Sequence, residues 1–166
     1  MAQSGKLKRK VLLFIVTFFG TGLISKKMPG TVGSLVATLV LIILPKSSVL
    51  VASMFVTSLF IGWLCCKLYI PRYDTDRDPR YIVIDEACGI FLGATLIYCC
   101  NHTSHYALLV NFLLFRLFDI AKPYPIRNIE TSMKTRIETV AIGIMLDDIL
   151  AAIFAATIQI TLYKVL

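Results

Sequence analysis

Acidic residues are costly inside apolar stretches, and this chain of 166 residues carries them there repeatedly. Asp85 and Glu86 interrupt the run Ile82–Cys100, and Asp147 and Asp148 interrupt Val140–Leu166. Asp119, with Arg116 one helical turn before it, interrupts Tyr106–Ala121. An ionised carboxylate at the centre of a membrane helix costs about 2.5–3.5 kcal/mol on insertion scales, so a set of this size is not incidental. Taken alone, Arg116 and Asp119 could simply neutralise each other. Gathered together, the carboxylates cannot all stay ionised without cations. Hard oxygen donors with neither His nor Cys among them point to Mg²⁺, with Mn²⁺ as a substitute, and away from zinc. Mg²⁺ commonly binds through a few carboxylates plus a substrate phosphate, and the nearby cations Arg116, Lys122 and Arg127 suit an anionic phosphate. Thr31 and Ser34 follow Met28-Pro29-Gly30 at the start of another apolar run, where free backbone N–H groups add an anion site. The chemistry indicated is metal-dependent phosphoryl transfer or phosphate hydrolysis.

The elements that must position these groups are membrane helices. Hydrophobic residues make up 57% of the chain and charged ones 16%, with a mean hydropathy of +0.79. Soluble domains run at about 45–50% apolar and about 25% charged. Intrinsic disorder is excluded by the same figures. The five cysteines are odd in number and lie in apolar runs, which argues against a secreted disulfide scaffold. The net charge of +7 would suggest nucleic acid in a soluble protein. No nucleic-acid motif accompanies it here, so the basic residues act as topology signals and contacts for membrane lipids.

The apolar runs are Val11–Ile24, Val32–Leu44, Val49–Cys66, Ile82–Cys100, Tyr106–Ala121 and Val140–Leu166. A spanning helix needs about 20 residues. On that scale Val49–Cys66, Ile82–Cys100 and Val140–Leu166 qualify and Tyr106–Ala121 nearly does. Val32–Leu44 is a short or tilted span, and Val11–Ile24 an interfacial or re-entrant helix that follows a basic cytoplasmic tail over 1–10. The expected fold is therefore all-α: one domain over 1–166, a compact helical membrane bundle of about four spanning helices plus the N-terminal interfacial or re-entrant helix. Short connections at Leu44–Ser48 and Asn101–His105 make the helices they join antiparallel neighbours. Of the 17 Lys and Arg, only Lys46 and Lys164 fall in segments on the outer side, and Arg116 lies within a run. The positive-inside rule then puts the N-terminus in the cytoplasm and the C-terminus outside. With that topology Asp85 and Glu86, Arg116 and Asp119, Asp147 and Asp148, and Thr31 and Ser34 all lie near the cytoplasmic ends of their helices. Antiparallel packing brings them to one level, roughly 5–10 Å below the inner surface at about 1.5 Å per residue.

Other local patterns carry less. Cys66 and Arg72 have the C-x5-R spacing of cysteine phosphatases, but no glycine lies between them to form a phosphate-cradling loop. Asp74, Asp76 and Asp78 echo a calcium loop, yet Pro79 stands where the turn needs Gly, so a solvated loop is expected. His102 and His105 fall in the opposite, outer loop and are expected to be solvated. Phe14, Phe18 and Phe19 read as packing or lipid-facing residues.

Four blocks, in order, resemble the bacterial phosphatidylglycerophosphatase A family. They are Gly20-Thr21-Gly22-Leu23 with Pro29-Gly30-Thr31-Val32-Gly33-Ser34, Ile84-Asp85-Glu86 with Gly89, the stretch from Phe115 to Arg127 that contains Arg-x-x-Asp-x-x-Lys-Pro-x-Pro-Ile-Arg, and Gly143-Ile144-Met145-Leu146-Asp147-Asp148. The resemblance implies removal of the terminal phosphate of phosphatidylglycerophosphate, with Mg²⁺, at the cytoplasmic face of the bacterial inner membrane. It implies metal-binding and catalytic roles for Asp85, Glu86, Asp119, Asp147 and Asp148, and phosphate or headgroup roles for Thr31, Arg116, Lys122 and Arg127; Ser34 joins the phosphate-binding candidates. One departure stands out: the family's Gly-Gly pair before the last block is Val140-Ala141 here, a change that could narrow the site. Two other classes also place charge inside a membrane. A small transporter should carry its charges near the midplane, and a non-catalytic membrane protein would use the acidic cluster only to bind an ion. The Asp-x-x-Asp-Gly pattern of CDP-alcohol phosphotransferases is not found, since Asp147-Asp148 continues as Ile149-Leu150.

Overall fold

The computed structural model describes residues 2–76, 78–124, 126–133 and 139–165. Among them the chain forms α1 (Ala2–Val16), α2 (Pro29–Ile43), α3 (Ser48–Tyr73), α4 (Ile84–Cys99), α5 (His105–Ala121), α6 (Ile126–Met133) and α7 (Val140–Val165). A short 3-10 turn covers Thr21–Leu23, and no strand occurs among the described residues. Local chemistry sets several boundaries. Pro29 opens α2 at a position where its missing N–H costs nothing, and Leu44, extended ahead of Pro45, closes it. Ser47 caps α3 by accepting from the Leu50 N–H at 3.4 Å, and Ser104 caps α5 by accepting from Ala107 at 3.0 Å.

Helices α4 and α7 form the centre: α4 packs against α2, α3, α5 and α7, and α7 against α3, α4, α5 and α6. Close approach is possible because α7 turns small side chains inward, with Ala151, Ala152, Ala155 and Ala156 fully buried. Both α3 and α7, at 26 residues each, are long and apolar enough to cross a membrane. Less than a quarter of α3's apolar stretch is buried inside the protein, against more than half of α7's. Val49, Val56, Phe60 and Leu64 therefore face outward from α3. Helices α2, α4 and α5 have 15, 16 and 17 residues and fall short of the usual spanning length.

The N-terminal segment takes the re-entrant course, one of the two expected for 11–24, but its helix has other limits. Helix begins at Ala2 rather than Val11, so residues before Val11 are not a separate tail; Lys, Leu and Arg there are strong helix formers. It stops at Val16 because Phe18, Phe19 and Gly20 take φ of 44°, 59° and 88°. The chain then turns back. Arg9 lies 5.8 Å over the Tyr73 ring at the end of α3, Phe18 meets Phe91 on α4, and the Val83 N–H donates to the Val16 carbonyl at 2.9 Å. Segment 2–28 is thus a hairpin that returns to the end of the bundle from which it entered.

Two further differences are local. Helix α3 continues past Cys66 to Tyr73, since Tyr69 and Ile70 are still buried against the core. Cys66 is fully buried within that helix, so its spacing to Arg72 carries no phosphate loop. Helix α6 was not visible as an apolar run; it is short and polar, anchored by the buried Ile126.

Candidate active site

Helices α2, α4 and α7 begin, and α5 ends, around one open cleft of about 580 Å³. Thr31, Asp85, Glu86, Arg116, Asp119, Lys122, Asp147 and Asp148, drawn from four separate stretches of chain, all line it. The antiparallel packing expected from the short connections is what brings them together. The N-termini of α2 and α4 both open here, and neither N-cap side chain, Met28 or Val83, bonds the first turn, although Asp85 takes the Glu86 N–H. Their free N–H groups and dipoles make this end of the bundle attractive to an anion.

The structure sorts the carboxylates into two kinds. Asp85, Glu86 and Asp148 each offer an oxygen, and these oxygens lie within 4.8 Å of one another. Glu86 Oε2 is buried without a hydrogen-bond partner among the described residues, while Asp85 Oδ1 accepts from the Glu86 N–H at 3.0 Å. An orphaned, buried carboxylate oxygen facing two more carboxylates is the donor set a hard divalent cation fits. Asp119 and Asp147 instead hold cations. Arg116 Nη1 donates to Asp119 Oδ2 at 2.6 Å, and Lys122 Nζ donates to Asp147 Oδ2 at 2.8 Å. Among the described residues six carboxylates and four cations line the cleft, an acidic balance that a divalent cation would offset.

Two features hold the cations in place. Lys122 caps α5 in the left-handed region, φ 41°, with its N–H on the Phe118 carbonyl at 2.8 Å. A non-glycine residue there stores backbone strain, which is found where a side chain must be aimed. Gly30 lets Glu86 and Arg116 reach the α2 backbone: a Cβ at this position would strike Glu86 Oε1 and lie 3.2 Å from Arg116 Nη1. Ser34 stands behind this contact. It donates to the Gly30 carbonyl at 2.7 Å and accepts from Arg116 Nη1 at 3.5 Å, so it braces the arginine and does not line the cleft.

The sequence profile of phosphatidylglycerophosphatase A matches residues 14–163, nearly the whole chain. The chain belongs to the phosphatidylglycerophosphatase A family. It is 34% identical over 164 residues to phosphatidylglycerophosphatase A of Haemophilus influenzae, covering 95% of this chain and 94% of that protein. It is 32% identical over 150 residues to a candidate phosphatidylinositol-3-phosphatase of Bacteroides thetaiotaomicron, covering 86% and 87%. No solved structure matches it.

Within this phosphatidylglycerophosphatase A scaffold, Arg127 sits exposed on α6 and does not line the cleft. Val140 and Ala141 are buried in the first turn of α7 and are also absent from the cleft wall, so they do not narrow its opening. Lys27, Asp78 and Arg80 do line it, though sequence reasoning treated them as topology signals or a solvated loop. Their only signal was position, immediately before Pro29 and Ile84.

Proposed function

We propose that the chain hydrolyses the terminal phosphomonoester of phosphatidylglycerophosphate, releasing phosphatidylglycerol and phosphate. Support comes from family membership and from one observation above the rest: the oxygens of Asp85, Glu86 and Asp148 lie within 4.8 Å of one another beside Arg116 and Lys122. In this proposal the trio holds Mg²⁺, replaceable by Mn²⁺. Bound there, the ion would supply Lewis-acid neutralisation of the phosphate oxygens and would make a water more acidic. The remaining work falls to the chain itself. Arg116 and Lys122, oriented by Asp119 and Asp147, hold the phosphate oxygens and stabilise charge as the phosphorus–glycerol oxygen bond breaks. The free N–H groups at the start of α2, with the Thr31 hydroxyl, complete the phosphate cradle.

The same proposal sets the protein in the bacterial inner membrane with the cleft toward the cytoplasm. Helices α3 and α7 cross it at full length, α4 and α5 cross it as spans near the shorter limit, and α2 is a short or tilted span. The distribution of Lys and Arg supports this orientation. Collection of the acidic groups at one end of the bundle, rather than at its middle, speaks against a transporter.

The relative named for phosphatidylinositol 3-phosphate gives the competing headgroup a specific basis. Both named substrates are glycerophospholipids with a bridging phosphodiester and a headgroup phosphomonoester. Phosphate release from the two lipids, compared in the same detergent, tests the assignment. Faster turnover of phosphatidylglycerophosphate is expected, and equal or reversed rates would overturn the headgroup choice.

A further inference from the structure

We infer that a second anion subsite adjoins the cleft, formed by Lys26, Arg80 and the 20–25 loop, and that it takes the phosphodiester of the lipid headgroup. The inference rests on the substrate class proposed above. A separate cavity of about 290 Å³ lies between this loop and the segment before α4. Pro29 and Arg80 line both this cavity and the catalytic cleft, so the two are neighbours across one wall. Their electrostatics differ. The cleft is rich in carboxylates, whereas among the described residues the second cavity has two cations, Lys26 and Arg80, and no carboxylate on its walls. Neither cation forms an ion pair with a described carboxylate.

One wall of the cavity is fixed by close packing, and Lys26 and Arg80 are exposed beside it. Gly22 is buried against the Tyr81 carbonyl, where any Cβ would collide with it, and its N–H donates to the Thr17 carbonyl at 3.1 Å. Tyr81 is tied in turn to Asp74 by its hydroxyl. This gives a role to the Gly20-Thr21-Gly22-Leu23 block, which the catalytic cleft leaves unexplained. Leu23 and Ile24, both largely exposed, border the same loop and set an apolar edge beside the cations. A phosphodiester whose one side carries acyl chains and whose other side carries a phosphorylated polyol matches that arrangement. The diester would sit on Lys26 and Arg80 while the monoester reaches the carboxylate trio. Two anchored phosphates would then select such lipids over phosphatidic acid, which has only the monoester.

The decisive variant is Lys26→Ala, because Lys26 lines the second cavity and not the cleft. In zwitterionic detergent its KM for phosphatidylglycerophosphate is expected to rise about tenfold, as loss of one charged hydrogen bond implies. The rate at saturation should stay within about twofold, and turnover of phosphatidic acid should be unchanged. Lys8→Ala, on exposed α1, is the control for general surface charge and should behave as the parent. Equal losses on both lipids, or the same KM rise in Lys8→Ala, would overturn the subsite. Binding separates this from the phosphatase reading. Calorimetric titration of the parent protein with short-chain phosphatidylglycerol, which has the diester alone, should show saturable binding that Lys26→Ala weakens. Unchanged or absent binding overturns the subsite even if phosphate is released. Binding without any phosphate release would keep the subsite and overturn the reaction.

Discussion

Lys122 Nζ lies 2.8 Å from Asp147 Oδ2, joining the end of α5 to the second turn of α7 across the cleft. The lysine reaches that point from a left-handed backbone at φ 41°, a conformation that costs a non-glycine residue about 1–2 kcal/mol. Side-chain placement has therefore been favoured over backbone comfort.

Substitution separates those two demands. Lys122→Gly removes the ammonium and relieves the strain, whereas Lys122→Ala removes the ammonium and keeps it. Both should lose phosphatase activity by about two orders of magnitude, the size of a lost charge-stabilising donor. The glycine variant should nonetheless melt higher than the alanine variant in detergent. Activity retained in Lys122→Gly would show that the position matters only as a helix cap.

Gly30 is expected to be as sensitive as any carboxylate. A methyl group there strikes Glu86 and crowds Arg116. Gly30→Ala should cost about a hundredfold in activity, as small misplacements of catalytic groups do. Helix content by circular dichroism should be unchanged, since alanine is the better helix former by about 1 kcal/mol. Near-normal turnover would mean that Glu86 and Arg116 need not occupy these positions.

Val140 and Ala141 invite the opposite expectation. Buried in the first turn of α7, they stabilise a helix start and do not wall the cleft. Glycine at both should lower thermal stability, by about 1 kcal/mol at 141 and by more at 140, where a buried side chain is also lost, without raising activity per folded molecule. A gain in kcat would show that the valine and alanine do restrict the site.

Tyr81 supplies a pH test outside the apolar helices. Burial pushes its phenol well above the usual range, and hydrogen bonds to Asp74 and Tyr69 push the same way. A raised folded pKa means the bond's contribution is complete below the free phenol's pKa of about 10 and fades only above it. Tyr81→Phe should therefore lower stability by the same amount throughout about pH 6–9, on the order of 1 kcal/mol for a lost hydrogen bond. Denaturation in mild detergent at several pH values measures this, and a difference that changes across the range would contradict it.

Much of this architecture was legible in the apolar runs. Val32–Leu44, Ile82–Cys100, Tyr106–Ala121 and Val140–Leu166 each became a helix with closely similar limits, because long apolar runs bounded by Pro, Ser and polar loops leave little choice. The convergence of Asp85, Glu86, Asp119, Asp147 and Asp148 followed from counting which end of each run they occupied. Their division into a close trio and two ion-paired residues did not. Asp147 and Asp148 are adjacent in sequence, and only helical rotation, about 100° per residue, turns one toward Lys122 and the other toward Asp85 and Glu86. The re-entrant course of the N-terminal segment was one of two options read from the sequence, but its turn was hidden for a different reason. Its turn relies on positive φ at Phe18 and Phe19, residues that carry no turn signal. Arg127 belongs to the most specific sequence block and yet lies on the surface of α6, since a block's spacing does not reveal which face a following short helix presents.

In the proposed reaction Asp85, Glu86 and Asp148 hold a divalent cation on which phosphate release depends. The most direct measurement is phosphate release from phosphatidylglycerophosphate by detergent-purified protein, before chelation, after chelation and after Mg²⁺ is restored. Asp148→Asn is assayed alongside over a Mg²⁺ titration. Activity is expected to vanish with chelator and return with Mg²⁺, and the variant to stay inactive or to need at least about tenfold more Mg²⁺. Undiminished phosphate release in chelator, or an Asp148→Asn protein with the parent's Mg²⁺ dependence, would contradict it.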